Sequence, residues 1–250
     1  MNEKTWWHPE ILSKNEGETS KIKDLDLLDP GVDFGSYKIM LQTGDIKLSQ
    51  IDQHNNIDPG VRVKMVKNLL SKFLPNKILD IGCGLGFTTS ELKNLFPNSE
   101  VLGIDISTDA IAYGRKQFKD CEFLAEAIDP KNTEKIYKAD LICAFEFYPF
   151  SRTSNIEDHR SYILYLLGWL NDGGRLLIVQ LWDKEESLSV NYEELVAGFQ
   201  QLKFTAYQIP AEKVTKIFKS RLLSLFITRL LIFFRLRQTK LQKAIIITKK

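Results

Sequence analysis

Apolar residues in this chain fall into short unbroken runs and into stretches where they recur three or four apart, and each pattern predicts a different element. Val63, Val66, Leu69, Leu70 and Phe73 form a helical stripe within 61–74, and Pro75 stops it. Ile78, Leu79 and Ile81 then make a run of the kind a buried parallel strand shows, with Asp80 set inside it. Phe87, Leu92, Leu95 and Phe96 return to helical spacing, and Pro97 ends that helix. Further strands are expected at 100–106 (VLGIDI), 122–125, from Asp140 (DLICAF), at RLLIVQLW after Gly174, at 203–208 and at 243–248. Helices are expected at 162–170 and 192–202, Ser107 is placed to cap the helix after the second strand, and Asn171-Asp172-Gly173-Gly174 reads as a turn. Strands alternating with helices predict an α/β domain.

Between the strand around Asp80 and the helix after it the chain must turn sharply. Gly82, Gly84 and Gly86 supply that turn, since residues without a Cβ take positive φ and let a ligand approach the backbone. Two ligand classes use such turns, dinucleotides and S-adenosylmethionine. The dinucleotide pattern needs a small residue at position 87, where this chain has Phe87. Asp80 argues the same way, because a carboxylate there repels a pyrophosphate and attracts an ammonium or sulfonium. Asp105 lies 23 residues after Gly82, near the ~20-residue interval at which an acid meets a ribose hydroxyl pair.

The run Asp80-Ile81-Gly82-Cys83-Gly84-Leu85-Gly86 closely resembles the first motif of class I S-adenosylmethionine-dependent methyltransferases. LNDGGRLLI, from Leu170, also resembles that family, and the order of elements follows it from about Val63 onward. The resemblance implies a Rossmann-like, doubly wound, seven-stranded sheet whose last strand is antiparallel, placed at the sheet edge. It implies that Asp80, Gly82, Cys83 and Gly84 line the cofactor turn and that Asp105 holds the ribose. Ile106 and Phe145 are expected against the cofactor, Ile106 at the adenine ring. Glu126 and Ala127 are expected at the adenine amino group and ring nitrogen. Glu126 replaces the commoner Asp, which leaves Asp129 as an alternative. Residues 1–60 are expected to be a cap or lid, with Trp6, Trp7, Tyr37 and His54 as pocket residues or as packing, and 61–250 to be the methyltransferase domain with a helical insertion at 210–240.

The segment EFYPFSRTSNIEDH, from Glu146, follows the fourth strand, where acceptor chemistry belongs in open α/β folds. Methyl transfer needs an aligned nucleophile, and a hydroxyl nucleophile also needs a base. Glu146, Tyr148, Arg152 and His159 are able to orient or deprotonate one, and His159 is the natural base because histidine titrates near neutral pH. The bland alternative is an exposed helix histidine. Asp140 reads as a structural strand-start residue. The segment lacks the Asn-Pro-Pro-aromatic run that resembled enzymes acting on exocyclic amines carry, which lowers a nucleic-acid acceptor. The expected function is O-methylation of a small molecule such as a sugar or glycan precursor. The alternatives are a non-catalytic S-adenosylmethionine-binding protein, a lipid-linked or macromolecular acceptor, and, more remotely, a nicotinamide oxidoreductase.

Composition narrows this little further. A net charge of +2 over 250 residues gives no overall signature of a nucleic-acid binder. Cys83, Cys121 and Cys143 show no metal-ligand spacing, so no metal site and a reducing, cytoplasmic location are expected. Trp6, Trp7, His8 and Glu10 stand where an export signal needs a basic start and an apolar run. The insertion does change the picture: 210–240 holds eight Lys and Arg against Glu212 alone, together with LLSLFITRLLIFF. A helix there is expected to pack on the core or across a homodimer, with peripheral contact at an anionic membrane as the second reading.

Overall fold

The computed structural model describes residues 72–130, 136–147, 149–150, 155–180, 202–209, 221–233 and 242–250, with positions 63, 67, 69, 70, 190, 194, 195 and 199. The 1–60 segment with Trp6, Trp7, Tyr37 and His54 lies outside the described residues, as do Val66, Tyr148, Arg152, most of the helix expected at 192–202, and 210–220 and 234–240 of the insertion. In chain order the elements are β1 (Lys77–Ile81), α1 (Phe87–Leu95), β2 (Glu100–Asp105), α2 (Thr108–Gln117), β3 (Glu122–Ala125), β4 (Ala139–Phe145), α3 (Ile156–Trp169), β5 (Leu170–Gln180), β6 (Lys203–Ile209), α4 (Arg221–Phe233) and β7 (Gln242–Thr248).

They form one seven-stranded sheet in the order β3-β2-β1-β4-β5-β7-β6. Strands β1 to β5 pair in parallel, and β7 is antiparallel to both of its neighbours. The expectation of an edge position for β7 is corrected: it lies between β5 and β6, and β6 is the edge. The physical reason is burial on both faces. Ala244, Ile245, Ile246 and Ile247 are all buried, whereas Lys203 and Ala206 of β6 are exposed.

Alternation along the strands divides the core in two. Leu79, Ile142, Ala144, Ile178 and Ile245 join one cluster, with Tyr162, Ile163, Leu166 and Trp169 of α3. Ile78, Leu141, Cys143, Leu177, Val179 and Ile246 join the other, with Leu92 of α1 and with Val63, Leu69 and Leu70. The strands are therefore covered on both faces, which is why they read as unbroken apolar runs.

Two boundaries move. Helix α3 starts at Ile156, earlier than the expected 162, because Asn155 caps it by accepting the Glu157 N–H at 3.1 Å. The expected turn at 171–174 instead belongs to β5, where Gly173 and Gly174 pair with Lys249. Asp140 is structural, as expected: its carboxylate accepts the Asn76 and Lys77 N–H groups and the Asn171 amide. Burial pushes its pKa up, but these hydrogen bonds and the Lys77 charge outweigh that and hold Asp140 below the usual carboxylate range.

Candidate cofactor and active site

The sheet order reverses between β1 and β4, and a crevice opens outside the carboxyl ends of strands at such a point. The turn after β1 sits there. Gly82 and Gly86 take φ of 69° and 87°, the left-handed region where a side chain is strained. Space forbids one as well. A Cβ at Gly82 would stand 2.7 Å from the Phe147 ring, and one at Gly86 would stand 2.5 Å from Phe123. The Gly82 and Cys83 N–H groups donate to Ile104 O at 2.8 and 3.2 Å, tying the turn to β2.

Asp105, at the end of β2, is fixed in turn. Its Oδ2 accepts the Gly84 N–H at 2.8 Å and its Oδ1 the Ser107 N–H at 2.9 Å. Each carboxylate oxygen has two lone pairs, so both retain capacity toward a pair of hydroxyls. Burial pushes the Asp105 carboxyl up despite these bonds. Ser107 also caps α2, accepting the Ala110 N–H at 3.2 Å. Asp80 is almost wholly buried within β1 and accepts the Thr89 hydroxyl at 2.6 Å.

Two carboxylates therefore converge on the turn, and their field is legible at Cys83. Burial pushes that thiol well above its ordinary value, and the charges of Asp105 and then Asp80 push it further. Both effects favour the protonated thiol and so work against a nucleophilic role for Cys83. Burial likewise raises Cys121, to about 11, and Cys143. Among the described residues no group of three or more His, Cys, Asp or Glu is arranged to hold a metal ion.

This donor set suits S-adenosylmethionine and not a pyrophosphate. A phosphate would need the free amides of the turn. Here the Gly84 N–H is already taken by Asp105, and the charges beside the turn are negative. A cationic nucleoside with two ribose hydroxyls meets complementary groups.

The segment expected at the adenine follows β3. The Glu126 N–H donates to Asp105 O at 2.9 Å, so the segment carrying Glu126 and Ala127 is laid beside β2. The Glu126 carboxylate accepts the Tyr137 hydroxyl at 3.2 Å. Burial, then the Glu126 charge, pushes Tyr137 up to about 12. Tyr137 and Tyr165 both pack on Trp169, at 4.8 and 4.9 Å between ring centres. Burial raises Tyr165 as well, followed by the charges of Glu126 and Asp129, so both candidate acids stand close to this aromatic group. Ile106 is half-buried against the core.

On the other side of β1, β4 ends at the buried Phe145, and Glu146 follows with φ of 52°, uncommon for a residue with a side chain. Its N–H donates to Val179 O at 3.0 Å, which fixes it at the sheet edge. Phe147 then folds over Gly82. His159 lies in the first turns of α3 and is fully buried, not exposed, with its ring 5.5 Å from that of Phe150 in an edge-on contact. Phe150 meets Phe147 and Tyr162 at 6.3 and 6.5 Å. The structure thus brings Asp80, Gly82, Cys83, Gly84 and Asp105 together directly. Glu126, Ala127 and Ile106 join them through β2 and β3, Phe145 and Glu146 flank them on β4, and His159 stands behind an aromatic layer.

Three participants had no role assigned from the sequence. Thr89 holds Asp80 and is separated from it by nine positions, so only the α1 turn brings them together. Phe147 had its place at the sheet edge as its sole signal. Tyr137 reaches Glu126 across a separation of 11 positions, with no local pattern to announce it.

Residues 75–221 match the family described as a methyltransferase domain. Malonyl-[acyl-carrier protein] O-methyltransferase of Bacillus anthracis is 27% identical over 157 residues, covering 61% of this chain and 54% of that protein. Trans-aconitate 2-methyltransferase of Escherichia coli is 34% identical over 106 residues, 42% of this chain and 39% of that protein. The chain spans about half the length of the curated relatives it matches. Among solved structures, the N-methyltransferase NodS from Bradyrhizobium japonicum with S-adenosyl-L-homocysteine superposes with TM-score 0.54 at 15% identity, covering 86% of this chain and 98% of that one. Plantazolicin methyltransferase BpumL superposes with TM-score 0.52 at 22% identity, covering 92% and 98%. With the glycine turn, the carboxylates around it and the sheet order all in agreement, this chain belongs to the class I S-adenosylmethionine-dependent methyltransferase family.

Proposed function

We propose that the protein transfers a methyl group from S-adenosylmethionine to an oxygen of a small-molecule acceptor, with a hydroxylated metabolite such as a sugar or glycan precursor as the specific class. The observation that carries the cofactor half is the Asp105 carboxylate bonded to the Gly84 N–H, which fills the turn with negative charge where a phosphate binder would keep free amides. When bound, S-adenosylmethionine supplies a methyl carbon on a positively charged sulfur, open to displacement by a nucleophile.

The chain's own residues divide the remaining work. Asp105 accepts the ribose hydroxyls, and Asp80 contributes charge beneath the turn. Glu126 and the Ala127 N–H read the adenine edge. Glu146 orients the acceptor from the end of β4, and His159 takes the hydroxyl proton of an acceptor that displaces the aromatic layer in front of it. The free thiols Cys83, Cys121 and Cys143 support a cytoplasmic setting.

Two experiments test this reading. Calorimetry should show S-adenosylhomocysteine binding and no NAD binding. Methylation of a panel of hydroxylated acceptors should then yield product; a protein that binds the nucleoside and methylates nothing is a binding protein instead. A carboxylate acceptor is the second reading, favoured by the full burial of His159 and by relatives named for malonyl-[acyl-carrier protein] and trans-aconitate. A carboxylate needs no base, so His159→Asn distinguishes the two. It should lower kcat by about a hundredfold for a hydroxyl acceptor and leave a carboxylate acceptor's kcat nearly unchanged.

A further inference from the structure

We infer that α4 docks the protein onto an anionic phospholipid surface. The observation is an inverted helix. Ser224 and Thr228, one turn apart, are fully buried, while Leu222, Phe226 and Leu230 line the opposite side at 80%, 60% and 38% exposure. Leu223 adds a further apolar side chain at 45%. A helix whose task were core packing would turn its bulky apolar face inward and leave Ser and Thr to water. This one presents a contiguous apolar face outward, the kind of surface that marks a contact site.

Charge selects the occupant. Arg229 is exposed on the same helix, and from Lys213 to Lys240 the sequence carries eight Lys and Arg and no acid. A second copy would meet this helix with the same helix, since a two-fold interface pairs identical surfaces, and α4 carries no acid to meet Arg229 across it. An anionic bilayer offers the opposite charge and an apolar layer for the leucines and Phe226. At 13 residues α4 is too short to span a bilayer, and among the described residues no helix is long and apolar enough to cross one. It fits lying in the interface plane.

Topology adds a consequence. β6 and β5 are both antiparallel to β7, so β6 runs with β5, and the connection holding α4 leaves at Ile209 and returns at Gln242 on the carboxyl edge of the sheet. That is the edge carrying the glycine turn and Glu146. The connection that contains α4 therefore begins and ends at that edge.

The test is flotation of the full chain with vesicles of phosphatidylcholine alone and of phosphatidylcholine with phosphatidylglycerol. The protein should float with the anionic vesicles, release as salt rises, and stay behind with the neutral ones. Leu222→Ser with Phe226→Ser should weaken flotation about tenfold or more, with melting temperature and S-adenosylhomocysteine affinity unchanged. Failure to float at low salt, or equal flotation with both vesicles, would overturn the inference. So would a loss of flotation that comes with a loss of thermal stability, since side chains this exposed should not hold the fold. A stable dimer in sedimentation that the double substitution splits would assign the face to a second copy. S-adenosylhomocysteine calorimetry reads the cofactor site separately, so its failure speaks against the methyltransferase reading and leaves membrane docking to the vesicles.

Discussion

The two sides of the carboxyl edge are built differently. On the β1–β2 side every charged group is held by a short backbone or hydroxyl contact: Asp105 by two N–H groups, Asp80 by Thr89. On the β4 side the frame is aromatic, with Phe147, Phe150 and Tyr162 around His159, and with Glu146 held in an uncommon backbone conformation. The first side holds its polar groups in place by hydrogen bonds within the protein, as the proposed cofactor half requires. The second offers a surface of shape and packing, which is what acceptor identity depends on. A family that keeps one cofactor and changes its acceptors is expected to divide the labour in this way.

The largest effect should come from breaking the rigid side. Gly86→Val places a Cβ against Phe123 and forces a branched residue to φ of 87°. Strain and overpacking together should cost about 3 kcal/mol or more, read by chemical denaturation. Next comes Asp105→Asn, which leaves a single accepting oxygen where two N–H groups and a ribose compete. S-adenosylhomocysteine affinity should fall about a hundredfold, as loss of hydrogen bonds to a charged group implies, while the same substitution at Asp140 leaves it unchanged.

Acidity sharpens the contrast between these two aspartates. Burial raises Asp105 above 3.8, so its contribution to apo stability declines as pH rises from 3.8 through that raised value. Ligand hydroxyls need the ionised form, so affinity should weaken as pH falls through the same value, and Asp105→Asn should abolish that dependence. Asp140 is lowered, so its contribution is present above 3.8 and is lost as pH falls through its depressed value. Affinity and melting curves across an acid pH series check both signs. The smallest effect is expected from Tyr137→Phe, which removes one hydrogen bond to Glu126 at 3.2 Å. An affinity change of about threefold in calorimetry matches a partly exposed contact, and a much larger one would make Tyr137 a main determinant of adenine binding.

The first motif was legible because its chemistry is local. Gly82, Gly84 and Gly86 are neighbours in sequence, and the turn they make needs nothing remote to be recognised. Asp105 was legible at one remove, since one helix and one strand set a nearly constant interval. The position of β7 was not, because a strand's neighbours are chosen by what covers its two faces, and KAIIIT is equally apolar wherever it pairs. His159 shows the same limit. Its place in α3 follows from the Asn155 cap, but whether its ring faced water or Phe150 depended on a contact between the strand end and the helix that no local pattern announces.

Local pattern alone therefore determined the strand and helix sequence, the glycine turn and the sign of the charge beside it, because each arises within a span that one element can reach. Tertiary structure decided which carboxylates meet, that Asp105 accepts the Gly84 N–H and Asp80 the Thr89 hydroxyl, and that α4 turns Ser224 and Thr228 inward and Leu222 and Phe226 outward. An apolar stripe records that a face seeks cover. Only the packed chain reveals whether the core has already supplied it.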